Sequence, residues 1–191
     1  MTDFDLAALD ACKAGGFPND YPTDRRTFYS PVDDVHGALL AVVTSATRSL
    51  SIAMFGYDDD DLHAVILAKM TDPEITVQIS LDSSQAGGKH EAALIAAWLN
   101  PSVPTPLTSI VSVGRSERGA IQHMKAVAVD GRVIVTGSTN WSDGGETKQD
   151  NQATVIVNRA EAYELQRRMD AIHLDQLQKA AAKAAKAMKP S

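Results

Sequence analysis

Short apolar runs and amphipathic stretches alternate along this 191-residue chain, and their spacing predicts most of its elements. Residues 1 to 27, with Gly15-Gly16, Pro18 and Pro22, suggest a short helix followed by a loop. Phe28-Tyr29-Ser30-Pro31 reads as a brief strand and its stop, after which Asp33 or Asp34 caps a helix running to about Arg48. Leu50 to Tyr57 and Ile75 to Leu81 are continuous apolar runs of strand length. Between them, Asp58 to Asp61 opens a helix that extends to about Met70. Ser83 to Gly88 forms a loop, Lys89 to Asn100 a helix, and Pro101, Pro104 and Pro106 a linker before a strand at Ile110 to Val113. Ile121 to Val129 alternates as a strand, turns at Asp130-Gly131 and returns through Val133-Ile134-Val135, which is a hairpin signal. A strand at Ala153 to Val157 and a long helix from about Arg159 complete the pattern. Strands and helices in this order predict an α/β fold, a mixed β-sheet sandwiched between helical layers.

Composition narrows the class without naming a reaction. With 44% hydrophobic residues, the chain suits one globular domain with ample core. The single Cys12 excludes an intrachain disulfide framework and suits a reducing compartment. Met1 to Asp5 carry two acids and no basic segment, and no run approaches eighteen apolar residues, so neither a secretory signal nor a membrane span is expected and cytoplasm is the default location. Net charge is −6. Residues 176 to 191 hold four Lys and no acid, so the rest carries −10. An acidic body argues against passive binding of duplex DNA, although a cleft need be positive only where a phosphate sits.

Chemistry concentrates in eighteen residues, His123 to Asn140, which read H-x-K-x4-D-x6-G-S-x-N. Six fixed residue types at fixed spacing are far more specific than a lone Gly-rich loop. Residues two apart on a strand share a face, so His123 and Lys125 point into one space, and the return strand can bring Ser138 and Asn140 beside them. An imidazole can present a neutral nucleophilic nitrogen near pH 7. Lys125, Ser138 and Asn140 can donate to the charge that grows on phosphate oxygens during attack. Asp130 lies about 23 Å of extended strand from His123, so it reads with Gly137 as a structural member of the set.

The spacing resembles the signature of the phospholipase D superfamily, the HKD phosphodiesterases, and it occurs once. The resemblance covers most of residues 28 to 173. It implies a phospholipase D-like α/β/α sandwich, a phosphohistidine intermediate on His123, Lys and Asn on phosphate oxygens, and neither metal nor other cofactor. Residues 1–27 are then an N-terminal extension and 174–191 an Ala/Lys-rich helical tail. A single His cannot be both nucleophile and first general acid. Single-motif relatives place two copies across a two-fold axis, which implies a homodimer here, with the second His123 protonating the leaving group. Compact relatives of this kind resemble nucleases, which makes nucleic acid the expected substrate. A phospholipid hydrolase and a non-catalytic nucleic-acid-binding protein of the same fold are the alternatives. An acid downstream of G-S-x-N orients the His in family nucleases. The aligned position here is Asn151, with Asp150 or Glu146 as substitutes.

Other residues receive plainer expectations. Asp58 to Asp61 complement a helix dipole rather than hold a cation, His90 is an exposed surface residue, and Trp141 belongs to the core. His36, His63 and His173 lie on predicted helices without partner spacing. Arg115 and Arg118 either guide a phosphate backbone toward Lys125 or solvate their loop. Lys179, Lys183 and Lys186 form a solubilising helix face or a phosphate-tracking stripe.

Overall fold

The computed structural model describes residues 4–100 and 110–187. A 3-10 helix, Leu6–Cys12, precedes β1 (Arg25–Ser30), α1 (Val35–Thr44), β2 (Ser49–Met54), β3 (Tyr57–Asp58), α2 (Asp60–Thr71), β4 (Thr76–Asp82) and α3 (Lys89–Leu99). Then come β5 (Ile110–Gly114), β6 (Lys125–Val129), β7 (Val133–Gly137), β8 (Trp141–Ser142), α4 (Asp143–Thr147), β9 (Asn151–Val157) and α5 (Arg159–Ala187). Seven strands form one mixed sheet in the order β1-β9-β7-β6-β2-β4-β5, and β3 pairs with β8 in a separate ribbon. The proline linker expected at Pro101, Pro104 and Pro106 falls outside the described residues.

The strand Lys125–Val129 shows why the sandwich closes on both faces. All five of its residues are buried. Val127 and Val129 join Leu39, Val43, Ile66 and Leu94 in the larger core, so α1, α2 and α3 cover that face. The alternate residues Ala126 and Ala128 face the other way, where with Ala53 and Ile134 they receive Ala162 and Met169 of α5. Under α5 lies a polar cluster: Ser112 Oγ is 2.7 Å from both His173 Nδ1 and Gln176 Oε1, and Ser80 Oγ is 3.1 Å from His173 Nδ1. The partners of His173 Nδ1 thus come from β4 and β5 rather than from its own helix.

Several boundaries differ from the sequence expectation. The strand predicted at Phe28 begins at Arg25 because its whole length pairs with β9, Arg25 opposite Ile156. In the N-terminal segment, Leu6 and Leu9 are buried in the main core. Helix α5 runs without a break from Arg159 to Ala187, and Gln176 on it is 1% exposed. Helix α1 stops at Thr44, where the Ser45 hydroxyl turns back onto the Val42 carbonyl. The run Leu50 to Tyr57 splits at Phe55-Gly56: Tyr57 leaves the sheet and pairs with Trp141.

Candidate active site

The topology delivers the motif to one end of the sheet. β6 runs antiparallel to β2, so Lys125 sits opposite Met54, at the exit of β2. β7 runs antiparallel to β6, which returns Gly137 to that same end, and Gly137 lies opposite Ala153 near the start of β9. His123, Lys125, the turn Gly137 to Asn140 and Asn151 therefore meet at one pole. Asp130 lies at the other end of β6.

His123 is just outside the strand, a departure from the predicted run Ile121 to Val129. The cause is local. The Gln122 backbone N–H donates to Asp82 Oδ2 at 2.6 Å, and its side chain donates to the Ser80 carbonyl and accepts from Met124 N–H. These bonds peel residues 121 to 123 from the ladder and leave the His123 side chain exposed. Its ring packs on Phe55, centroids 4.8 Å apart, and its nitrogens have no hydrogen-bond partner among the described residues. Lys125 is 6% exposed. Its ammonium donates to the His123 carbonyl at 3.0 Å and lies 4.8 Å from the Phe55 ring centroid. Burial pushes this ammonium below the ordinary lysine range. Phe55 is thus a platform for both groups. Its only signal in the sequence is its position directly after the apolar run.

Asn140 packs against Gly56, where a Cβ would stand 3.2 Å from the amide carbon. Its Oδ1, an acceptor, is buried without a partner among the described residues, and its Nδ2 is the atom able to donate to a phosphate oxygen. Phe55, Gly56, Tyr57, Lys89 and Asn140 line an open cleft of about 490 Å³. Ser138 is committed within the chain: its hydroxyl donates to Asn151 Oδ1 and accepts from Gln152 N–H, both at 3.0 Å. Its one proton therefore holds the turn together. Gly137 is required sterically, because any Cβ would collide with the Gln152 carbonyl. Gly137→Ala should lower stability by about 2 kcal/mol through overpacking. A thermal melt shifted by less than 1 °C would contradict that close approach.

The expected orienting residues are engaged elsewhere. The Asn151 amide donates to the Gly145 carbonyl at 3.1 Å and accepts from Ser138, which bridges β7, α4 and β9. Glu146 Oε2 is 2.8 Å from His36 Nδ1. Asp150 is exposed. None of the three bonds to His123, because the start of β9 directs Asn151 toward α4 and α4 directs Glu146 toward α1. Arg115 and Arg118 are exposed in the loop after β5; against the upward push of burial, hydrogen bonds from Ser84 and Gln122 and the charge of Arg115 hold the Asp82 carboxyl below the usual range. Asp130 accepts from Thr47 N–H, Thr47 Oγ1, Arg48 N–H and Ser49 N–H, at 2.7 to 3.3 Å.

Two histidines differ from expectation. His90 is 2% exposed rather than a surface residue, stacks on His63 at 4.8 Å and points Nε2 at Asp60, 2.8 Å away. His36 meets Glu146 and Asp59 across long sequence separations, which helix spacing cannot reveal.

A mixed sheet between helical layers, with an imidazole, an ammonium and a Gly-Ser-Thr-Asn turn gathered at one pole, defines an α/β protein of the phospholipase D class. The solved structures agree on fold. Nuc from Salmonella typhimurium, a phospholipase D family member, superimposes with a TM-score of 0.65 at 23% identity over 80% of this chain and 94% of that one. NucT from Helicobacter pylori gives 0.66 at 19% identity over 80% and 96%. The chain belongs to the phospholipase D superfamily: residues 39–173 match the family model described as cardiolipin synthase, PLD-like domain. It is also 26% identical over 128 residues to a mitochondrial cardiolipin hydrolase of Chlamydomonas reinhardtii, and 25% identical over 126 residues to that of Xenopus laevis. These matches cover 67% and 65% of this chain but only 52% and 53% of the relatives, so the chain spans about half their length. No helix among the described residues is long and apolar enough to cross a membrane.

Proposed function

We propose that this protein is a metal-independent phosphodiesterase that works as a homodimer, with nucleic acid as its substrate and endonucleolytic cleavage as its reaction. The observation that carries this reading is the pole itself. It pairs an exposed His123 imidazole, without a hydrogen bond among the described residues, with a buried Lys125 ammonium and the Asn140 amide at the mouth of the cleft. In the first step a His123 nitrogen forms a bond to phosphorus and the bond to the leaving oxygen breaks. Lys125 and the Asn140 amide stabilise the charge on the non-bridging oxygens. The leaving oxygen takes its proton from His123 of a second copy, which then activates water against the phosphohistidine. The exposure of His123 beyond the strand end supports a site shared by two copies. Compact chains with one copy of the signature favour nucleic acid, and Arg115 and Arg118 beside the pole add positive charge for a backbone.

A second substrate reading has its own support. The curated relatives are named as cardiolipin hydrolases, and a phospholipid head group presents the same phosphodiester to the same groups.

The test is cleavage of single- and double-stranded DNA and RNA, and of cardiolipin vesicles, in EDTA. The expected result is nucleic-acid cleavage that falls to background in His123→Ala. Turnover of vesicles alone would move the substrate to lipid. Loss of all cleavage in EDTA would sink the metal-independent mechanism. Mixing wild-type and His123→Ala subunits one to one tests the shared site. About a quarter of the activity should remain if both imidazoles are needed, against about half if each subunit works alone.

A further inference from the structure

At the same end of the sheet as the motif, but bonded to neither His123 nor Lys125, His36, Asp59 and Glu146 converge from three separate segments. His36 lies in the first turn of α1, Asp59 caps α2, and Glu146 sits on α4. One ligand atom from each lies within 4.8 Å of the others. His36 Nδ1 is 2.8 Å from Glu146 Oε2 and 3.0 Å from Asp59 Oδ2. A single ring nitrogen thus faces two carboxylates, and one proton on it cannot serve both. Glu146 is 2% exposed and its second oxygen, Oε1, is buried with no hydrogen-bond partner. An unpaired carboxylate oxygen at that depth is costly and calls for a cation or a donor.

We propose that His36, Asp59 and Glu146 hold one divalent transition-metal ion of the Zn²⁺ type. The donor set, one imidazole and two carboxylates, suits a borderline ion better than Mg²⁺, which prefers oxygen and water. Bonds of about 2.0 to 2.2 Å in a tetrahedral shell put neighbouring ligand atoms roughly 3.3 to 3.5 Å apart, so the cluster needs only small side-chain adjustment. An ion bound by Glu146 would neutralise the carboxylate whose Oε1 has no partner among the described residues. The outer shell is also present. Asp59 Oδ1 accepts from Leu62 N–H at 2.6 Å, which fixes the carboxylate, and Asp61 Oδ2 lies 3.4 Å from His36 Nε2. A carboxylate on the far ring nitrogen orients a ligating imidazole and raises its basicity. The His36 side chain is 29% exposed, which leaves a route for the ion and for water as fourth ligand. The ion would tie α1, α2 and α4 together and brace the segment directly after Asn140, outside the phosphodiester chemistry.

The experiment measures Zn²⁺ bound to chelator-stripped full-length protein by equilibrium dialysis, with melting temperature as second readout. The expected result is about one Zn²⁺ per chain and a melting temperature raised by about 5 °C or more at a hundredfold excess over Kd. Both should be lost in His36→Gln and in Glu146→Gln, with circular dichroism confirming that each variant is folded. His90→Gln controls for the His63–His90–Asp60 cluster and should bind as wild type does. Zn²⁺ retained by both site variants, binding lost only in His90→Gln, or no binding by wild type overturns the proposal. EDTA-resistant cleavage is a separate readout, so neither result decides the other.

Discussion

Replacing Lys125 with methionine is expected to cut phosphodiester cleavage roughly a thousandfold, the loss seen when one preorganised donor to a developing anion is removed. Stability should stay level or rise. The ammonium is 6% exposed, and its hydrogen-bond partner is the neutral His123 carbonyl, with the Phe55 face alongside. A charge held this way costs stability, and an apolar side chain of similar volume removes the cost. The pH dependence follows from the lowered ammonium pKa. Because the folded value lies below the unfolded one, the unfolded chain binds more protons between the two. Stability therefore rises with pH through that window, and the cost is present in full below it. Lys125→Met should lose that alkaline rise. Melting curves from pH 7 to 10, beside single-turnover cleavage, check both halves. A variant that keeps a tenth of the activity, or melts well below wild type, would remove Lys125 from the phosphate-binding role.

The second large effect is structural and comes from the opposite pole. Asp130→Ala should destabilise the fold by about 3 kcal/mol, because four exposed or half-buried donors lose one charged acceptor together. The carboxylate takes three consecutive backbone N–H groups, Thr47 to Ser49, and the Thr47 hydroxyl. It does so from a residue at φ 51°, in the left-handed region, at the first position of the β6–β7 turn. In a protein of this size that loss is about 6 to 12 °C in melting temperature. These donors hold the carboxyl below its usual range. The sign is then opposite to that of Lys125: the contribution is present above the unfolded pKa and disappears as pH falls through the folded one. Wild type and Asp130→Ala should therefore converge in acid denaturation. A variant that melts with wild type at pH 7 would show the bonds to be dispensable. Its cleavage per folded molecule should change little, which separates Asp130 from His123 and Lys125.

The sheet was legible because its strands are continuous apolar runs, and the Asp130-Gly131 turn marked the hairpin in the sequence itself. The motif spacing also told which groups would meet, since alternation and antiparallel return fix a pole once the hairpin is known. What escaped was set by distant partners. β3 and β8 are two residues each, too short for any period, and exist because Tyr57 finds Trp141. The pull of Asp82 on Gln122, which ends β6 before His123, spans forty residues. His90 gave every sign of an exposed helix start, yet β3 and α2 fold over it. The orienting residue aligned at Asn151 faces α4 instead, a direction that depends on how β9 enters the sheet.

The alanine face of the sheet has a consequence for synthesis. The surface that α5 covers includes Ala53, Ala126 and Ala128, and α5, the last described helix, supplies its lid with Ala162 and Met169. A nascent chain in which α5 has not yet left the ribosome exposes this face to solvent or to other nascent chains. Methyl groups offer much less adhesive area than leucine would, and with Ile134 and Ile156 as the bulky side chains of the strands here, this face is a weaker seed for aggregation than the larger core. The bulkier core, on the other face, is closed by α1, α2 and α3, which are all made before the motif strand itself. Order of emergence and side-chain size are matched: the stickiest surface is covered first and the mildest is left for last.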